Sequence, residues 1–253
     1  MDRADARLTG PTTTVLMIIS CGLCLLAPLA AWTIDEPLAR FLYTRGFPGD
    51  IAKFIALCEV FSHGAGVGGL LIVILCLDPQ PRRVLRLAIC AFGGGLTANA
   101  FKLVVARMRP HTYFQVQLEQ SELASSFGPF LPWANGDKLI LDYAEYGSAF
   151  QSFPSGHTAT AAGFAVALVY FYPRGRWIFF VLVLMAAVQR WETNAHFLSD
   201  TMVGAAIGFV WAGWFTKAGS RGANWLLRYE QAAARGADPT PTRADQAEPD
   251  TQD

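Results

Sequence analysis

A run of apolar residues without a charge extends from Val15 to Trp32, and this run limits the possible folds more than any other feature. A helix of this length crosses about 30 Å of hydrocarbon. The run is also longer than the apolar part of a typical cleaved signal peptide, so we expect a retained membrane span. Five further apolar segments follow, at about 51–77, 84–105, 155–172, 177–188 and 201–215.

The composition agrees with a bilayer environment, because only 16% of the residues are charged and soluble domains carry about a quarter. Lys+Arg 20 balance Asp+Glu 20, which gives no indication of a nucleic-acid partner. The five cysteines lie in apolar segments, and the Cys21/Cys24 pair lacks the further ligands of a zinc site. We therefore expect buried thiols and no metal.

These segments predict an all-α fold, a bundle of six transmembrane helices with a site at the outer membrane–water interface. Basic residues concentrate in the turns on one side of the bundle, which assigns that side and both termini to the cytoplasm. We expect a cytoplasmic N-terminus at 1–14, a membrane domain at 15–228 and a disordered cytoplasmic tail at 229–253. A long outer loop at 107–153 mixes acids with aromatics, which is typical of a segment on the bilayer surface.

Three polar patches fall on the outer face of the predicted bundle. The second of them, Pro154-Ser155-Gly156-His157, predicts a helix start with Pro154 in the first turn, where a missing N–H costs nothing. Free N–H groups at a helix N-terminus attract an anion. The first and third patches carry cations, an imidazole and a carboxylate, contributed by Lys102, Arg109, Arg190, His196 and Asp200.

This combination of side chains suits phosphoryl transfer. Arginine binds phosphate with two N–H groups and lysine binds it as a point charge. One imidazole can attack phosphorus while a second protonates the departing oxygen. Asp200 lies one helical turn after His196, where its carboxylate can hold one ring nitrogen and leave the other to attack. Taken singly, Lys102 and Arg109 would be interpreted as snorkelling residues at the membrane edge. The convergence of three patches on one face instead favours a phosphate-binding site.

The pattern K-x6-R-P, P-S-G-H and R-x5-H-x3-D, which spans Lys102 to Asp200, resembles the signature of the type-2 phosphatidic acid phosphatase superfamily. The resemblance implies an integral-membrane lipid phosphatase with six helices, which needs no metal and no cofactor. It implies that His157 is the acid for the leaving group, His196 the nucleophile and Asp200 its partner. It also implies a phosphate-binding set of Lys102, Arg109, Ser155, Gly156 and Arg190.

One position departs from the family pattern, because Gln189 precedes Arg190 where the family usually has serine. An amide still donates a hydrogen bond, so we expect altered phosphate contacts and retained chemistry. Glu59 and His63 lie at membrane depth, where ionisable residues are functional candidates. We interpret them as interfacial or hydrogen-bonded within the bundle, and His111 as an exposed loop histidine.

The predicted function is hydrolysis of a terminal phosphate monoester or diphosphate of a membrane lipid, through a phosphohistidine, at the periplasmic face of a bacterial inner membrane. Lipid A phosphate, undecaprenyl diphosphate, phosphatidylglycerol phosphate and phosphatidic acid remain open as substrates, and we expect residues 111–152 to choose among them. A lipid-to-lipid phosphotransferase and a non-catalytic lipid-phosphate binding or translocating protein remain alternatives. Six apolar spans disfavour a vanadate-dependent haloperoxidase, because those relatives are soluble. The sequence predicts no oligomeric state.

Overall fold

A computed structural model describes residues 10–78, 80, 82–103, 105, 107–118, 147–217 and 220–235. The regular elements of these residues are helices, which confirms the all-α prediction. Short 3-10 turns occur at Cys58–Phe61, Gly147–Phe150 and Pro173–Gly175. The helices are α1 (Gly10–Thr33), α2 (Asp35–Thr44), α3 (Gly49–Leu57), α4 (Gly64–Leu77), α5 (Arg83–Lys102), α6 (Pro110–Leu118), α7 (Gly156–Phe171), α8 (Arg176–Glu192), α9 (Leu198–Thr216) and α10 (Arg221–Arg235).

The six predicted apolar segments all correspond to helical structure. Among the described residues, three helical stretches are long and apolar enough to cross a membrane, namely Thr13–Thr33, Arg83–Lys102 and Leu198–Thr216. The second predicted segment is not one straight helix, because α3 with its 3-10 turn meets α4 at a bend of 65°. Counting this bent pair as one span gives four. The chain is therefore a membrane protein, and the count of six spans stays a prediction.

Helix α7 forms the centre of the bundle, and its residues from 156 to 168 are buried apart from His157. Small residues permit this close packing against α5 and α9. A Cβ atom at Gly163 would lie 2.1 Å from the Cys90 carbonyl oxygen, and one at Gly208 would lie 2.3 Å from the Ala159 carbonyl oxygen. The close approach places the end of α5 and the starts of α7 and α9 at the same end of the bundle.

A small apolar cluster supports this end of the bundle from the side of α2 and α6. Its buried members come from α2, from α6 and from the chain on either side of the site: Ala39, Met108, Tyr113, Phe114, Phe150 and Phe197. Burial of these side chains fixes the segment after α5 against the segment before α9. Most of the predicted outer loop, at residues 119–146, lies outside the described residues.

Helix α10 extends to Arg235, past the predicted start of the tail at 229, and the predicted domain boundaries stay a prediction. A salt bridge explains the extension. Glu230 accepts hydrogen bonds from Nε and Nη2 of Arg86, each at 3.0 Å, and Arg86 is only 1% exposed. Leu226 is buried on the same helix. Residues 236–253 lie outside the described residues, so the rest of the predicted tail stays a prediction.

Candidate active site

The predicted site residues converge at one end of the bundle. Lys102 ends α5, Arg190 lies in the last turn of α8, and His157 lies in the first turn of α7. The charge of Lys102 interacts with the charges of Arg109, Arg190 and Asp200. Three motifs that are far apart in sequence therefore form one cluster of charge.

The start of α7 differs from the prediction, because the helix begins at Gly156 and Pro154 precedes it. Ser155 is the N-cap, and its hydroxyl accepts a hydrogen bond from the Thr158 N–H at 3.4 Å. Serine is favoured at this position because it satisfies an N–H that the helix leaves free. The Ser155 N–H donates to the Asp200 carbonyl oxygen at 3.0 Å. The starts of α7 and α9 are thereby joined.

Gly156 allows α5 to approach the start of α7. A Cβ atom at this position would lie 2.7 Å from the side-chain oxygen of Asn99, so a larger residue would displace the Asn99 side chain. Gly204 has the same role on the other side, where a Cβ atom would lie 2.3 Å from the Ser155 carbonyl oxygen. The N-terminus of α7 is thus fixed between α5 and α9.

His196 lies in the loop between α8 and α9 and is buried, at 2% exposure. Its Nδ1 atom is 2.6 Å from the carbonyl oxygen of Ser152. Since a carbonyl only accepts, Nδ1 must carry the proton, and the tautomer assigned on this basis leaves a lone pair on Nε2. Burial lowers the pKa of His196 to about 4, against the opposing effect of the nearby Asp200 carboxylate. The imidazole is therefore neutral near pH 7.

The predicted direct hydrogen bond between Asp200 and His196 is absent. Oδ2 of Asp200 is 3.8 Å from Nδ1 of His196, beyond hydrogen-bond distance. Oδ2 instead accepts from the Ser152 hydroxyl at 2.6 Å and from the Phe197 N–H at 2.8 Å. Asp200 is the third residue of α9 and caps its own helix, which explains the difference. Asp200 is linked to the His196 imidazole through Ser152, whose hydroxyl donates to the carboxylate and whose carbonyl accepts from the ring.

Sequence reasoning missed the role of Arg107, which is completely buried. Its guanidinium donates to the Asp200 carboxylate, to Oδ2 of Asp35 at 2.7 Å and to the Ser199 hydroxyl at 2.7 Å. Its backbone carbonyl accepts from the Ser152 N–H at 3.0 Å. Arg107 therefore positions Ser152 and Asp200, the two residues that lie beside His196. No sequence signal marked this role, because the burial that makes a guanidinium require acidic partners arises only in the folded chain.

Two cations of the site are left without hydrogen bonds in the described part of the chain. Nε of Arg109 is buried there without a partner, and Lys102 forms neither a hydrogen bond nor an ion pair with any described residue. Burial and the neighbouring Arg190 cation both lower the pKa of Arg109, although a guanidinium stays charged. These groups can bind an anion.

The third cation, Arg190, is bound by Glu59. Oε1 of Glu59 accepts from Nη2 of Arg190 at 2.6 Å, and Oε2 accepts from the Gln189 amide at 3.4 Å. The hydrogen bonding expected for Glu59 is present, with site residues as its partners. The Gln189 side chain is buried and turned to Glu59 and Arg190. His63 caps α4 through Nδ1, which accepts from the Ala65 N–H at 3.3 Å.

Two smaller observations complete the site. His111 is exposed as expected, but it lies on α6 and its Nδ1 atom is 3.1 Å from the Asn194 carbonyl oxygen. The described residues contain no group of three or more His, Cys, Asp or Glu side chains that could hold a metal ion. The expectation of a metal-free site stays a prediction.

Comparison with known proteins gives a family match and two curated relatives. The family described as the PAP2 superfamily matches residues 83–222. Lipid A 1-phosphatase of Rhizobium etli is 32% identical over 122 residues, which cover 48% of this chain and 42% of that protein. Lipid A 1-phosphatase of Rhizobium johnstonii is 32% identical over 122 residues, which cover 48% of this chain and 40% of that protein. The chain thus aligns with less than half the length of either relative.

A solved structure shares the fold. It is the crystal structure of a transmembrane PAP2-type phosphatidylglycerolphosphate phosphatase from Bacillus subtilis, with a TM-score of 0.52 and 18% sequence identity. The match covers 79% of this chain and 92% of that chain. The likeness concerns the helical architecture.

Proposed function

Because the chain belongs to the PAP2 superfamily, we propose that it is a membrane phosphatase that removes a terminal phosphate from a lipid. The family resemblance predicted from the motifs is confirmed. One observation carries the proposal. A neutral imidazole with a free Nε2 atom lies in a cluster where Lys102 and Nε of Arg109 have no hydrogen-bond partner among the described residues.

Phosphate binding uses the cations and the start of α7. Lys102, Arg109 and Arg190 neutralise the phosphate oxygens, and preorganised donors of this kind stabilise the extra charge of a transition state. The hydroxyl of Ser155 still has its proton to donate while it accepts from Thr158. Gly156 lets the helix N-terminus lie against the end of α5.

The first chemical step forms a phosphohistidine. Nε2 of His196 donates its electron pair to phosphorus, and the bond from phosphorus to the ester oxygen breaks. A protonated His157 transfers its proton to that oxygen, so the lipid leaves as an alcohol. The Ser152 carbonyl accepts from Nδ1–H throughout and stabilises the positive ring.

The second step releases phosphate. Water attacks phosphorus, the neutral His157 takes a proton from that water, and the bond from phosphorus to Nε2 breaks. His196 returns to its neutral tautomer and His157 returns to its protonated form. No step requires a metal ion.

An apolar groove of about 510 Å³ supports a lipid substrate. It lies between the bent pair, α7 and α8, and its lining includes Val60, Phe164 and Leu168. Val60 directly follows Glu59, which contacts the site, so a lipid tail in this groove can present its phosphate to the cations. We propose an inner-membrane protein with the site facing the periplasm and both termini in the cytoplasm. Lipid A 1-phosphate is the first substrate to test, because two curated relatives carry that activity in their names.

The decisive experiment measures phosphate release by detergent-solubilised protein, with a chelator present, from a panel of lipid phosphates. We expect release by the wild type, loss of at least about a thousandfold in His196→Ala, and unchanged release in Lys53→Ala, which removes an exposed ammonium on α3. Equal release by wild type and His196→Ala would refute the mechanism. Binding of lipid phosphates without release would favour the binding or translocating alternative. Phosphate recovered on an added lipid alcohol would identify a phosphotransferase.

A further inference from the structure

The break in the second apolar segment brings a carboxylate to the site. Glu59 lies in the 3-10 turn Cys58–Phe61, at the 65° bend between α3 and α4. None of the three motifs includes it. Its side chain is 37% exposed, and an acid in a membrane segment is costly unless it has partners. These partners indicate what Glu59 does.

The first partner is a phosphate-binding candidate. Glu59, Gln189 and Arg190 form a closed ring of hydrogen bonds, in which Arg190 donates to both others and Gln189 donates to Glu59. The ring fixes the plane of the guanidinium, which has many rotamers when it is free. Glu59 therefore sets the direction in which Arg190 presents its remaining N–H groups.

The second partner is the candidate acid. Oε1 of Glu59 is 3.9 Å from Nε2 of His157. Among the described residues, the other charged or titratable groups that face His157 are cationic or imidazole: Arg190 from α8, His196 from the loop before α9, His63 from the start of α4 and Lys102 from the end of α5. The other carboxylate of the site, Asp200, is buried against Arg107. Among the described residues, Glu59 is therefore the carboxylate within 4 Å of His157, and a carboxylate so placed favours the protonated imidazole.

We propose that Glu59 is a positioning residue of the phosphatase reaction, which orients Arg190 toward the substrate phosphate and retains the proton on His157. This inference rests on the proposed function. The carboxylate acts through the two residues that it contacts and does not touch phosphorus. Proton retention matters for a lipid alcohol, which is a poor leaving group without an acid, and matters little for a stabilised phenolate.

The test compares two leaving groups. Dioctanoyl phosphatidic acid, or the panel lipid that the wild type hydrolyses fastest, needs the acid, whereas p-nitrophenyl phosphate does not. Glu59→Gln keeps an oxygen for Arg190 but removes the charge, so we expect kcat/KM to fall about tenfold or more for the lipid and less than about threefold for p-nitrophenyl phosphate. Glu59→Ala also releases Arg190, and we expect kcat/KM to fall for both substrates. Glu36→Gln, an exposed carboxylate on α2, is the matched control.

A pH profile separates proton retention from a purely structural role. In Glu59→Gln we expect the alkaline decline in the pH profile of lipid kcat/KM to move to a pH about one unit lower than in the wild type. In Glu59→Asp the midpoint of this decline should stay within about half a pH unit of the wild type. Unchanged or faster hydrolysis by Glu59→Gln would overturn the proposal and indicate that Glu59 obstructs the phosphate site. Equal losses on both substrates without a shifted limb would also overturn it.

If Glu59→Gln does not fold, the proposal is tested with Glu59→Asp, by the ratio of kcat/KM for the lipid to kcat/KM for p-nitrophenyl phosphate. A ratio within about threefold of wild type supports the proposal, and a tenfold fall overturns it. A wild type that releases no phosphate from either substrate refutes the phosphatase assignment itself, which differs from any loss confined to the Glu59 variants.

Discussion

The Ser152 carbonyl oxygen accepts a hydrogen bond from Nδ1 of His196 at 2.6 Å, while the hydroxyl of the same serine donates to Asp200 at 2.6 Å. One residue thus connects the imidazole to the buried carboxylate. The backbone of Ser152 is fixed in turn by the Arg107 carbonyl, which accepts from its N–H.

In the pH profile of kcat/KM, the decline on the acid side should lie well below the pH range in which histidine ordinarily titrates. Only the neutral imidazole of His196 attacks phosphorus, and burial lowers the pKa of His196 to about 4, compared with about 6.5 for a free imidazole. As pH falls, we expect kcat/KM on p-nitrophenyl phosphate to decline near pH 4 and to remain flat between pH 6 and 7. A decline centred at about 6.5 would show that burial does not lower the pKa of the attacking imidazole.

Replacement of the Ser152 hydroxyl should reduce turnover more than substrate binding. Ser152→Ala keeps the carbonyl that holds His196 but removes the donor to Asp200, which leaves a buried carboxylate short of one hydrogen bond and costs about 1–3 kcal/mol. We expect kcat to fall about tenfold with KM within about threefold. Ser148→Ala, an exposed serine in the adjacent turn, should match wild type. A fall in Ser148→Ala of the same size would assign the effect to the turn and not to the hydroxyl.

Removal of the buried guanidinium should destabilise the fold. Arg107→Met leaves Asp35 and Asp200 buried without their cation, and breaking such a pair costs about 3–5 kcal/mol. We expect a clear fall in thermal unfolding temperature in detergent. Arg40→Met, which breaks the exposed pair with Glu36, should cost less than about 1 kcal/mol. Similar unfolding temperatures for the two variants would contradict the network.

The lysine at the end of α5 should act on phosphate affinity. Lys102 is 8% exposed and has no hydrogen-bond partner among the described residues, so its charge is available to an anion. In Lys102→Ala we expect a loss in kcat/KM of about a hundredfold, and a similar loss in inhibition by inorganic phosphate. Lys53→Ala removes an ammonium that is 80% exposed on α3 and should change neither quantity. Unaltered phosphate inhibition in Lys102→Ala would exclude a direct contact.

Local sequence patterns were sufficient to predict the helices. The uncharged run after Val15 and the five segments behind it required helical spans, because a bilayer leaves backbone polar groups no other partner than the helix itself. The spacing of Lys102, Arg109 and Arg190 with the two histidines also indicated the family and the chemistry, since such spacing belongs to the chain whatever its packing. The helix start at Pro154-Ser155-Gly156-His157 was predicted in the same way, apart from the position of Pro154 relative to the helix.

Only the tertiary structure decided which groups touch. The sequence placed Asp200 beside His196, yet the carboxylate accepts from Ser152 and Arg107, because a buried anion takes the nearest donors whatever their distance in sequence. Glu59 reaches Arg190 across 131 positions only because the second apolar segment bends at that turn. Apolar patterning and motif spacing thus determined the bundle and its catalytic candidates, while the long-range pairing of buried charges, which depends on packing, decided how those candidates are held.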